Sequence, residues 1–64
     1  MNIRGITNML ALSGSANKSL TLAIRMIGRS EINDSSNGRL ALVKLKEAKR
    51  LVVEAIELLK VLWE

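Results

Sequence analysis

Glu54 and Glu57 stand one helical turn apart, a spacing at which two carboxylates can share a metal ion or divide acid and base work. Arg50 lies four residues before Glu54, Lys60 three after Glu57, and Glu64 four after Lys60. Alternating charge of this kind describes a solvated helix face better than a catalytic pair. Ser13-Gly14-Ser15 offers hydroxyls and a glycine, the ingredients of a nucleophilic serine or a phosphate loop. It lacks the flanking strand and lysine of a phosphate loop and the elbow pattern of a nucleophilic serine. The chain has neither histidine nor cysteine, so the usual general bases, thiolate nucleophiles and zinc ligands are missing. These residues predict no catalytic site, no cofactor and no metal. The expectation is a protein that is not an enzyme.

Charge is the second chemical resource. The net charge is +4, and residues 1–29 carry Arg4, Lys18, Arg25 and Arg29 without an acid. Arg25, Arg29, Arg39, Lys46, Lys49 and Arg50 form a candidate nucleic-acid contact near the centre of the chain, provided they share an exposed face. Trp63 is the lone aromatic, so stacking on bases has almost no residues to work with. The segment 16–27 lacks the preceding short helix and tight turn of a helix-turn-helix. A third reading, an amphipathic helix lying on a membrane surface, suits wide apolar arcs flanked by cations. Mixed charge on the polar face argues against it. No run of about 18 uncharged apolar residues exists to span a bilayer. The stretch after Met-Asn-Ile-Arg is broken by Thr7 and Asn8, which disfavours a secretory signal. Absence of cysteine is compatible with the cytoplasm, the expected location.

The elements that hold these groups are helices. Hydrophobic residues make up 48% of the 64 residues, no proline interrupts them, and Leu, Ile, Val, Met and Ala supply nearly all of that content. Ala41, Ala48 and Ala55 recur every seven residues, and the series 41, 45, 48, 52, 55, 59, 62 alternates steps of four and three. Such a series marks one seam of a coiled-coil-like helix, predicted over about 39–63. A first helix is predicted over about 3–27, with Ile6, Met9, Leu12, Ala16, Leu20, Ala23, Ile24 and Ile27 sharing a face. Gly14 costs such a helix about 1 kcal/mol, so a break at Ser13-Gly14-Ser15 competes with a continuous helix, and the unbroken wheel favours continuity. Asn17 falls at the edge of the apolar face, where it either fixes register or faces solvent. Gly28 is a helix stop, the connection spans about 28–38 with room for one helical turn around Ile32, and Asp34, Ser35 or Ser36 can cap the second helix.

The fold class predicted is all-α: one domain, residues 1–64, an antiparallel helical hairpin. A lone hairpin leaves one flank of the second helix wet. Six exposed large side chains forfeit roughly 9–18 kcal/mol, comparable to the whole stability of a domain. With no disulfide or metal to compensate, self-association into a homodimeric four-helix bundle is expected. Its interface would draw on Leu20, Ala23, Ile27, Ala41, Leu45, Ala48, Leu51, Val52, Ala55, Ile56, Leu58, Leu59, Leu62 and Trp63. The basic start and acidic end of the second helix suggest hairpins lying head to tail. The function expected is that of a regulatory protein, adaptor or inhibitor acting through protein-protein interaction. Nucleic-acid binding is the alternative partner reading, and a membrane surface the third.

Overall fold

A computed structural model describes residues 5–63 as helix α1 (Ile6–Gly28), a 3-10 turn (Glu31–Asp34) and helix α2 (Ser36–Trp63), with α1 and α2 packed as a hairpin. Helix α1 starts after Gly5, whose φ of 83° is the left-handed conformation that glycine adopts without a Cβ penalty. It runs unbroken through Ser13-Gly14-Ser15, so the continuous reading holds. Its expected first residues, with Arg4, lie outside the described residues, as does Glu64. The end of α1 falls at the expected stop. Gly28 is the last helical residue but has no positive φ. The helix closes instead by tightening: the Arg29 N–H is shared between the carbonyls of Arg25 and Met26, and the Ser30 N–H reaches Ile27.

The connection is a chain of short polar bonds. Ser30 Oγ accepts from the Ile32 N–H at 2.9 Å and opens the 3-10 turn. Ser35 is the cap of α2: its Oγ accepts from the Gly38 N–H at 2.9 Å and donates to the Ile32 carbonyl at 2.8 Å. The Arg39 guanidinium donates to the Asp34 carbonyl at 3.1 Å. Helix α2 therefore begins at Ser36, three residues earlier than its periodicity suggests, because a cap and not an apolar residue sets the boundary.

Half-buried and buried side chains trace the seam between the helices. On α1 they include Ile6, Leu10, Ser13, Asn17, Leu20, Ile24 and Ile27; on α2, Gly38, Leu42, Leu45, Lys49, Val52, Ile56 and Leu59. Both sets alternate steps of four and three, the coiled-coil repeat. Met9, Leu12 and Ala16, expected to face α2, are exposed. Among the described residues only Ile6 is a fully buried apolar side chain, at 1% exposure. The Cα trace measures 47 × 14 × 11 Å with a radius of gyration of 14.7 Å. A compact chain of this length would have a radius near 11 Å. The hairpin is one layer thick.

Two glycines give opposite expectations. A Cβ on Gly38 would overlap the Ile32 carbonyl oxygen and come within 2.9 Å of Ile32 Cγ2, whereas one on Gly14 meets nothing within 4 Å. Gly38→Ala should lower stability by about 1–3 kcal/mol through overpacking. Gly14→Ala should raise it by up to about 1 kcal/mol through helix propensity. Urea titrations at one protein concentration read both; equal signs would refute the close approach at Gly38.

Candidate interaction surface

The alanine repeat proves to belong to a second seam. At about 100° per residue, Ala41, Lys44, Ala48, Leu51, Ala55, Leu58 and Leu62 follow their own three-four alternation, rotated off the seam that faces α1. All are exposed except Ala48, which is half-buried at the border of the two stripes. The series read as one seam in the sequence therefore divides: Leu45, Val52 and Leu59 face α1, while Ala41, Ala55 and Leu62 do not. Helix α1 repeats the arrangement. Met9, Leu12, Ala16, Ser19, Ala23 and Met26 form a stripe rotated to the same hand from its own seam. Because the helices are antiparallel, rotations of equal hand from facing seams emerge on the same side of the hairpin. The two stripes thus combine into one apolar front.

Small residues line the middle of that front: Ala16 and Ala23 from α1, Ala48 and Ala55 from α2, next to the groove between the helices. Larger side chains flank them, with Leu12 72% exposed, Met26 72% and Leu58 67%. Lys44 is the only charged residue on the front among the described residues. Of the interface residues expected from sequence, Leu20, Ile27, Leu45, Val52, Ile56 and Leu59 lie in the intramolecular seam, and Ala23, Ala41, Ala48, Leu51, Ala55, Leu58 and Leu62 lie on the front. Trp63 sits at the end of α2, 47% exposed.

The opposite face is mainly polar, with Val43 and Val53 exposed among its charges. Lys18, Arg25 and Arg29 follow α1, and Arg39, Lys46, Arg50, Glu57 and Lys60 follow α2, all exposed. Lys49 belongs to the intramolecular seam yet leans to this side. It is half-buried, as expected of a lysine laying its aliphatic stem along apolar neighbours with the ammonium outside. The two glutamates with catalytic spacing are each engaged: Glu54 with Arg50 at 3.0 Å and Glu57 with Lys60 at 3.7 Å. Both pairs are solvent-exposed and contribute a few tenths of a kcal/mol each. No pocket opens anywhere on the described surface, and Ser13-Gly14-Ser15 is ordinary helix.

Asn17 lies within the seam and not at its edge. Its carbonyl oxygen Oδ1 is buried without a hydrogen-bond partner among the described residues, while its backbone carbonyl accepts from Thr21 Oγ1 at 2.9 Å. Among the described residues no helix is long and apolar enough to cross a membrane. No family model, curated protein or solved structure matches the chain.

An unpaired buried carbonyl costs about 1–3 kcal/mol, and a polar residue in an apolar seam restricts register. Asn17→Leu should therefore raise the denaturation midpoint by the equivalent of about 1–2 kcal/mol. It should also broaden the distribution of sedimenting species. An unchanged midpoint with a single species would show that Asn17 has no such role.

Proposed function

We propose that the protein is a non-enzymatic, self-associating helical hairpin. Two copies bury their apolar fronts against each other as a homodimeric four-helix bundle, and the assembly serves in the cytoplasm as an adaptor, inhibitor or regulator through protein-protein contact. The observation that carries this reading is the continuous front, with alanines along its centre and leucines and methionines at its flanks. Alanines allow backbones to approach, and the larger flanking groups interdigitate around them.

Surface area supports the same reading. The hairpin exposes 5032 Å², against about 4,100 Å² for a compact 7.1 kDa chain by the usual scaling. The surplus of roughly 900 Å² is the size of the share, about 800 Å², that each partner buries in a stable interface. A second copy is the occupant that presents an identical, self-complementary front.

The relative direction of the two hairpins follows from Lys44. With both loops at one end, the two Lys44 ammonium groups would lie at the same level of a closed apolar interface. Head to tail, each falls beside the other copy's far half. Glu54 and Glu57, which motivate the same orientation in the sequence, are on the polar faces and already paired, so Lys44 is the better reason.

Sedimentation equilibrium at micromolar concentration should give a species of twice 7.1 kDa, or 14.2 kDa. A compact, stable 7.1 kDa species would overturn the proposal. Ala55→Leu sharpens the test. Ala55 is exposed in the single hairpin, where leucine is nearly neutral for helix propensity. In the paired front it blocks backbone approach and should weaken association by about 1–3 kcal/mol, roughly tenfold to a hundredfold in Kd.

A further inference from the structure

The basic residues are not scattered around the hairpin. Lys18 and Arg25 lie in the half of α1 nearer the connection, Arg29 directly follows its last residue, and Arg39, Lys46 and Lys49 lie in the corresponding half of α2. By the same helical geometry that places the apolar stripes, Lys18, Arg25, Arg39 and Lys46 fall on the back of the hairpin, Lys49 at its margin with the seam, and Arg29 at the outer edge. Carboxylates are elsewhere. Glu57 is in the far half and paired with Lys60, Glu54 is at the outer edge and paired with Arg50, and Glu47 points away from the seam. The charged side chains of the 3-10 turn, Glu31 and Asp34, make no ion pair within 4 Å among the described residues. The loop-side half therefore carries an excess of cations, only partly balanced by Glu31, Asp34 and Glu47.

Its dimensions are those of a duplex backbone. Lys18 to Arg25, and Arg39 to Lys46, are each seven residues apart, about 10.5 Å along a helix axis, with Arg29 and Lys49 a further turn or less away. The two rows stand about 8–10 Å apart, the separation of packed helix axes. Phosphates line both sides of a duplex groove about 6–12 Å wide. The patch has no aromatic side chain, so it has nothing on which to stack the bases of a single strand.

We propose that this back patch binds the phosphate backbone of a nucleic-acid duplex without base readout. The patch itself stands whether or not hairpins pair. Resting on the pairing proposed above, a second step follows: two hairpins joined front to front turn their backs outward in opposite directions, so one dimer holds two duplex segments and bridges them.

Fluorescein-labelled 20-bp DNA and RNA duplexes of arbitrary sequence are titrated with the full chain between 50 and 200 mM salt. Six phosphate contacts give a slope of log K against log salt near −5, a loss of about 10³-fold over that range. Arg25→Gln with Lys46→Gln should weaken binding at least about tenfold and make the slope shallower by about 2. Lys60→Gln, in the far half, should leave it unchanged within about twofold, with helicity by circular dichroism the same in all three. A flat salt response, an equal effect of Lys60→Gln, or tighter binding to an unstructured single strand would overturn the patch. So would binding to phosphatidylserine vesicles or polyglutamate in place of duplex. Bridging is read as energy transfer between donor-labelled and acceptor-labelled duplexes. Leu51→Glu with Leu58→Glu should abolish the transfer and retain single-duplex binding. No transfer from a wild-type chain that sediments as a dimer refutes bridging alone, and salt-dependent binding by a wild-type monomer refutes pairing while the patch survives.

Discussion

An α-helix has one side facing its neighbour in a two-helix hairpin, and here each helix carries apolar residues over more of its circumference than that side can cover. Everything else in the structure follows from this excess. The intramolecular seam takes Leu10, Leu20, Ile24 and Ile27 from α1 and Leu42, Leu45, Val52, Ile56 and Leu59 from α2. None of these becomes fully buried, because a single layer 11–14 Å across has no interior. Among the described residues Ile6 is the one fully buried apolar side chain. Hydrophobic burial grows with the fraction of surface removed from water, and a chain this small removes little of it unless it shares an interface.

The pattern of seven-residue repeats was legible in the amino-acid sequence; its division between two partners was not. Leu45, Val52 and Leu59 stand about 40° from Ala41, Ala48 and Ala55 on the helical wheel, so one broad arc contains both sets. Only the position of α1 against that arc separates them. The same limit applies to α1, where Met9, Leu12 and Ala16 share an arc with Leu20 and Ile27 but not their neighbour. Periodicity reports that a residue is on the apolar side, and tertiary contact decides whom it meets. Boundaries were legible only from polar residues and glycine. Ser35 is one of the three expected caps and the one that bonds Gly38, and α1 stops at Gly28 as expected, though by a tightened turn and not by a left-handed glycine.

Polar residues in the seam illustrate a different kind of information. Lys49 reads as a surface charge in the sequence, yet it is half-buried at a seam position, where a lysine stem can lie along apolar neighbours with its charge outside. Asn17 reads as marginal and is central. Each lowers the gain from burial at its level of the seam, and Asn17 leaves its Oδ1 without a partner there among the described residues. A seam of leucine alone would hold more tightly but would distinguish fewer alternatives.

Segregation of chemistry between the two faces of the hairpin is the remaining consequence. Once the front is given to apolar residues, cations must occupy the back and the outer edges, because a lysine in a closed apolar interface loses its hydration without a partner. Lys44 is the exception that orients the proposed pair. The back and outer edge then collect Lys18, Arg25, Arg29, Arg39 and Lys46 with few carboxylates to neutralise them, and their mutual repulsion works against the fold. A field of that sign costs stability unless something negative approaches it. Helix packing alone would have been served equally well by glutamates in the same places, interspersed with basic residues at i,i+3 and i,i+4 spacing as they are in the far half of α2. The loop-side half departs from this pattern while the far half of α2 keeps it, and that departure is what the proposed duplex contact would explain.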